Sequence, residues 1–165
     1  MDVRGATVSD LDVVLALLRA QYEEHAIVVP QLTLTEAVRA MTLHPSRGTI
    51  LLADDAKIVG LAVLAYMWTL EHGGRVAWLD ELFVVPEQRG RGIGHILLQH
   101  ALVIAEEMGC RVVQLEVELG HERAEHLYQR AGFTSVRRRR WIRSLTDAQG
   151  QCAVSQALGG RPHGR

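Results

Sequence analysis

The chain has little of what marks specialised scaffolds. Its 165 residues include only two cysteines, Cys110 and Cys152. They show no metal-ligand spacing and are too few for a disulfide framework, which suits a reducing compartment and makes the cytoplasm the expected location. An excess of one charge is also missing: 18 Lys+Arg stand against 19 Asp+Glu, so no global field marks a nucleic-acid or membrane partner. The longest apolar run, Gly60 to Leu70, falls well short of the roughly 20 residues needed to span a bilayer. The start, Met1-Asp-Val-Arg-Gly-Ala, has no apolar signal core. Eight histidines are scattered without a His-x-x-x-His pair and carboxylate support, so no metal is expected. What remains is an ordinary soluble domain, 48% apolar, with enough material for a genuine core.

The apolar periodicity lays out an α/β order. Ser9-Asp10 reads as a helix start, and Leu11, Val14, Leu15 and Leu18 recur at helical spacing from about residue 10 into the low twenties. Leu34, Val38 and Met41 repeat that spacing until His44-Pro45-Ser46-Arg47-Gly48 breaks it. Thr49 to Ala53 and Lys57 to Leu70 are β-branched apolar runs around Asp54-Asp55-Ala56, a hairpin signature. A third strand is expected from about Arg75 to Val85.

A helix then follows with Ile93, Leu97, Ala101, Ile104 and Met108 on one face, closed by Gly109. Val112 to Glu118 alternates as a strand with one polar side. Glu122 to Ala131 reads as a last helix with Ala124, Leu127 and Tyr128 inward, and Thr134 to Leu145 as a final strand or pair of strands. Residues 1–145 form the expected domain, and the Gln, Gly, Ser and Arg-rich stretch 146–165 reads as a flexible tail. The order predicts an α/β layer structure with a mixed sheet, its chemistry at strand ends.

Pro86-Glu-Gln-Arg-Gly-Arg-Gly-Ile-Gly-His95 is the most informative stretch, a strand-to-helix turn carrying three alternating glycines. A helix start leaves about four N–H groups unpaired and carries roughly half a positive charge, so it suits an anion. Glycines let that anion approach the backbone, and Arg89 and Arg91 add charge-assisted donors. The turn lacks the Gly-Lys-Ser/Thr of a nucleotide-binding P-loop, and its alternating glycines do not match Gly-x-Gly-x-x-Gly.

Arg89-Gly-Arg-Gly92-Ile-Gly94 resembles the Gln/Arg-x-x-Gly-x-Gly/Ala pyrophosphate loop of the GNAT superfamily of N-acetyltransferases. Downstream, Ala124-Glu-His-Leu-Tyr128-Gln-Arg-Ala-Gly132-Phe133 is similar to that family's Ala-x-x-Leu-Tyr-x-x-x-Gly-Phe signature. The resemblance covers roughly residues 3–145. It implies a mostly antiparallel central sheet with splayed strands flanked by helices, and acetyl-coenzyme A as donor. The donor's pyrophosphate is then expected on the amides of Gly90, Arg91, Gly92, Ile93, Gly94 and His95, and its pantetheine along the backbone of Leu82, Phe83 and Val84. The family commonly has Asn seven residues before the tyrosine, on the pantetheine arm; this chain has His121, which can donate through a ring N–H. Ala124 belongs to the same binding segment.

Acetyl transfer to an amine needs a neutral amine, a polarised carbonyl and a proton for the departing thiolate. Tyr128 matches the tyrosine that in many relatives serves the coenzyme A sulfur. Glu116 occupies the position of the catalytic glutamate of similar ribosomal-protein N-terminal acetyltransferases. Glu81 competes for the role of base; strand alternation places it beside Leu79 and Phe83, with Asp80, Leu82 and Val84 facing the other way. The acids Glu71, Asp80, Glu81, Glu116 and Glu118 favour a cationic acceptor, either a small-molecule or a peptide amine. Homodimerisation through the last strands is a further family expectation.

Two other classes compete: a coenzyme A-binding regulator without turnover, and a nucleic-acid module using Arg137-Arg-Arg-Arg140. A strand would split that run between two faces, and no aromatic platform accompanies it, so no nucleic-acid partner is expected. Trp68, Trp78 and Trp141 read as core or cleft wall, core being the commoner place for aromatics at strand positions.

Overall fold

The computed structural model describes residues 1–118, 120–143 and 145. Five strands lie in the order β1-β2-β3-β4-β5: β1 Asp2–Gly5, β2 Gly48–Asp54, β3 Ile58–Thr69, β4 Gly74–Val84 and β5 Val113–Gln114. Helices α1 (Leu11–Glu24), α2 (Gln31–Leu43), α3 (Ile93–Glu107) and α4 (Glu122–Arg130) connect and flank them. β1 to β4 pair antiparallel, and β5 joins β4 in parallel after the α3 crossover. The sheet is therefore mixed and mostly antiparallel, as expected. None of the described helices is long and apolar enough to cross a membrane.

Both faces of the sheet are covered, which is why β2 and β3 read as continuous apolar runs without polar alternation. Leu51, Ala62, Leu64 and Leu79 pack on α3 through Ile93, Leu97, Leu98, Ala101 and Ala105. Leu52, Leu61, Val63 and Phe83 pack on α1 and α2 through Val14, Leu17, Leu18, Leu34 and Val38. In α3 the buried stripe runs through Leu98 and Ala105, while Ile104 and Met108 stay half-buried at its edge. The N-terminal entry is tied down by Arg4, whose guanidinium grips Asp10 at 2.7 and 2.9 Å, while Asp10 also accepts the Thr7 amide at 2.8 Å.

Strand β4 departs from simple alternation. Leu64 faces Leu79 and Val63 faces Glu81, so Asp80 is the extra residue of a β-bulge. Leu79 consequently packs in the α3 layer and Phe83 in the α1/α2 layer. The expected grouping of Leu79, Glu81 and Phe83 on one face is thus corrected, because one inserted residue reverses the face of everything before it.

The other departures are at the sheet's ends. β1 has only four residues, too few to show a period. The strand expected over Val112–Glu118 shrinks to Val113–Gln114, and none of the described residues from Thr134 to Leu145 forms a strand. With so short an edge strand that segment has almost no ladder to join, and its apolar residues stay exposed, Val136 at 74% and Trp141 at 87%. Trp68, at 76%, is likewise outside the core. The tail expected over 146–165 lies outside the described residues.

Gly60 shows how closely this sheet is packed. It pairs with Val84, and a Cβ there would lie 2.6 Å from the Phe83 carbonyl oxygen and 3.2 Å from Leu97 Cδ1. Backbone cannot swing aside as a side-chain tip can, so Gly60→Ala is expected to cost roughly 1–3 kcal/mol. The check is a lower urea midpoint at unchanged slope; a wild-type midpoint would contradict this packing.

Candidate active site

Beyond β4 the chain makes a single 3-10 turn at Pro86–Gln88 and reaches the glycines. Gly90 and Gly92 have φ of 83° and 82°, the left-handed region in which only glycine is unstrained. Gly94 differs: a Cβ there would make only ordinary contacts, 3.9 Å from Val84 Cγ2 and 4.0 Å from Leu127 Cδ2. The protein's own packing does not require a bare backbone at Gly94. The first internal bond of α3 runs from Ile96 N to Gly92 O at 3.1 Å, and no side chain caps the helix. The amides of Ile93, Gly94 and His95 therefore form an uncapped helix start, the arrangement that receives an anion.

Both arginines of the turn are engaged with carboxylates. Arg89 donates through Nε to the Val84 carbonyl at 2.8 Å, grips both oxygens of Glu24 at 2.7 and 2.8 Å, and lies 5.4 Å over the Phe83 ring. Arg91 pairs with Asp55 at 3.1 Å and donates to the Gln88 side chain. Arg89 thereby ties the turn to the end of α1.

The sheet opens next to this cradle. β5 pairs with β4 only at Ala77↔Val113 and Trp78↔Gln114, so the sequence-predicted Leu82, Phe83 and Val84 carry no ladder on that side among the described residues. Tyr128 is half-buried on the inward face of α4 with Ala124 and Leu127. Its ring meets Phe133 edge-on at 5.7 Å and packs against the α3-side core, whose fringe includes Leu82 and Val84. Burial lifts its phenol to about 12, and the charge of Glu81 adds to the lift. Tyr128 is thus a proton-bearing hydroxyl throughout the physiological range.

Glu81 meets α1. Gln21 Nε2 donates to Glu81 Oε2 at 2.6 Å, and the Tyr22 hydroxyl donates to Oε1 at 2.7 Å. Loss of hydration raises the carboxyl to about 7; the Tyr22 hydrogen bond opposes this, the charge of Asp80 adds to it, and the Gln21 bond again opposes it. Asp80 is also raised, chiefly by desolvation, with Arg140 and the Trp78 side chain pulling it back.

Glu116 is placed differently. It is exposed and paired with Arg140, whose guanidinium lies 5.4 Å over the Trp78 ring. Arg138 likewise grips Glu71 with both nitrogens. Half of the arginine run is thus spent on internal acids, and Trp78 supplies an aromatic partner that the sequence did not reveal. His121 begins α4 through its carbonyl, which accepts from Ala124 and Glu125 at 2.9 and 3.1 Å; its ring stands 6.4 Å from that of His25. Among the described residues no cluster of three or more His, Cys, Asp or Glu is arranged to hold a metal.

The residues that sequence reading passed over are Gln21 and Tyr22. A signal for the first was available: Gln21 continues the stripe of Val14, Leu17 and Leu18, where an apolar residue is expected, and it is 9% exposed.

The raised carboxyl has a consequence for stability. Glu81 binds its proton more tightly in the folded chain than its ordinary value of 4.5, so the stability tied to that proton is present below about pH 4.5 and is lost as pH rises through about 7. Glu81→Gln removes this dependence. Between pH 5 and 8 the variant is expected to gain on the wild type by on the order of 2 kcal/mol, read from urea midpoints; a constant difference across that range would exclude a raised carboxyl.

The sequence matches the Acetyltransferase (GNAT) family over residues 12–133. An uncharacterized N-acetyltransferase of Bacillus subtilis, YhfO, is 29% identical over 134 residues, covering 81% of this chain and 89% of its own length. The aminoalkylphosphonate N-acetyltransferase of Salmonella typhimurium is 26% identical, with 80% and 84% covered. Among solved structures, an integron cassette protein from the mobile metagenome of Cole Harbour Salt Marsh superposes with a TM-score of 0.79 at 29% identity, over 90% of this chain and 93% of that one. The family match takes in α1, the bulged β4, the glycine turn and Tyr128. The chain belongs to the GNAT family of acetyltransferases.

Proposed function

We propose that this acetyltransferase moves an acetyl group from acetyl-coenzyme A to a primary amine by direct transfer within a ternary complex, with Glu81 as base and Tyr128 as acid. The observation that carries the reading is the pair itself. Glu81 is a half-buried carboxyl raised to about 7, and its charge helps to lift the Tyr128 phenol to about 12, beside the part of β4 that lies beyond its pairing with β5. Environments that push two titratable groups apart in this way suit general base and general acid roles.

The residues present fit the donor. The amides around Gly90, Arg91, Gly92, Ile93, Gly94 and His95 would receive its pyrophosphate, the edge of Leu82, Phe83 and Val84 would run beside its pantetheine, and His121 and Ala124, at the start of α4, would add contacts to that arm. When bound, acetyl-coenzyme A supplies a thioester carbonyl as electrophile. Glu81 Oε, ionised above about pH 7, accepts a proton from the ammonium, directly or through water, and leaves a neutral nucleophile. The Tyr128 hydroxyl gives a proton or a hydrogen bond to the departing sulfur. Glu116 fits the base role less well, since its carboxylate must first leave Arg140.

The acceptor is a small-molecule or peptide amine. Glu71 and Glu116 are already neutralised by Arg138 and Arg140, which leaves Asp80, Glu81 and Glu118, the last 3.4 Å from His25, to attract an amine head group. The same pairs occupy Arg138 and Arg140 with carboxylates of this chain, against a nucleic-acid role.

Calorimetric titration with coenzyme A is expected to show binding; no detectable affinity would sink the assignment. Thiol release over a panel of small and peptide amines should identify an acceptor. With it, Glu81→Gln is expected to lower kcat/KM by about 10²–10⁴ and to abolish the rise in rate as pH passes through about 7. Tyr128→Phe is expected to lower kcat by roughly 10-fold or more with little change in the KM for acetyl-coenzyme A. Binding without release from any amine, together with indifference to Tyr128→Phe, would favour a coenzyme A-binding regulator instead.

A further inference from the structure

Glu81 carries two donors from one helix, each on its own oxygen: Gln21 Nε2 on Oε2 at 2.6 Å and Tyr22 OH on Oε1 at 2.7 Å. Adjacent residues on a helix point about 100° apart, so both reach one carboxylate only if it sits over the helix edge between them. The bulge at Asp80 puts it there. Packing alone does not explain the choice of Gln21. It occupies a stripe position that elsewhere holds Val14, Leu17 and Leu18, it is buried, and its Oε1 is buried without a partner. An unpaired buried acceptor is a cost that an apolar side chain would avoid, so the return must lie at the donor end of the amide, on Glu81.

We propose that α1 acts as a two-donor clamp on Glu81, in which Gln21 and Tyr22 are positioning residues that fix the carboxylate and set the pH at which it ionises. The groups facing Glu81 make the sign definite. Burial and the negative charge of Asp80 on β4 disfavour the ionised form, the Tyr128 phenol on α4 stays neutral, and the two α1 donors oppose the first pair. A hydrogen bond to the charged form lowers a carboxyl's affinity for its proton, so removing either donor must raise the pH of ionisation. For catalysis the inference rests on Glu81 as the base; the clamp itself does not.

The experiment therefore reads the carboxyl directly. In intact protein labelled with side-chain ¹³C-glutamate, the Glu81 carboxyl resonance is identified by its loss in Glu81→Gln and titrated in wild type, Tyr22→Phe and Gln21→Met. Each variant is expected to move the midpoint upward by about one pH unit, and the double variant further. Midpoints that stay put or move down, in variants that melt cooperatively, would overturn the clamp and leave α1 a merely structural role. Should Tyr22→Phe fail to fold, Gln21→Met decides alone. The pH dependence of kcat/KM, measured on the same proteins with the acceptor found in the amine panel, separates the two ideas. A midpoint that moves without the rate profile following keeps the clamp and removes Glu81 as base, whereas joint movement supports both.

Discussion

One extra residue in β4 decides which layer of the molecule Glu81 meets. Without the bulge at Asp80, strict alternation would keep Leu79, Glu81 and Phe83 on one face. With it, Leu79 stays in the α3 layer while Glu81 and Phe83 turn to the layer of α1 and α2. A carboxylate placed over a helix flank is desolvated and needs donors, and Gln21 and Tyr22 provide them. Its raised ionisation, the electrostatic reach to Tyr128 and the dependence on α1 all follow from that placement.

The same strand organises the donor side. β4 ends before the glycine turn, and its pairing with β5 stops after Trp78, so among the described residues the edge that continues to Val84 has no ladder partner on that side. Gly90 and Gly92 are required by backbone conformation, whereas Gly94 is not required by internal crowding. The difference separates glycines that shape the turn from one that the fold itself does not demand. Arg89 links the two sides, holding Val84 and Glu24 at once.

Charge is largely settled inside the molecule. The acids and arginines that stand out in the sequence pair with one another, Glu24 with Arg89, Glu71 with Arg138 and Glu116 with Arg140. Exposed pairs of this kind contribute little to stability, but they change what the surface offers a partner. Counting Glu71 and Glu116 as a cationic trap, or Arg137 to Arg140 as a nucleic-acid patch, overlooks this mutual neutralisation.

The helices, the β2–β3 hairpin, the glycine turn and the helix that carries Tyr128 were legible in the sequence because each rests on local signals: 3.6-residue apolar spacing, β-branched runs, glycines at a strand-to-helix junction, and a motif on one short helix. Tertiary structure decided what depends on register and distance. The Asp80 bulge exists only relative to β3, so alternation within β4 could not reveal it. The different surroundings of Glu81 and Glu116 come from neighbours 59 and 60 residues away for one and 24 for the other. The strand expected after Thr134 lost its basis when β5 proved two residues long, since a strand's hydrogen bonds belong to its neighbour and not to its own sequence.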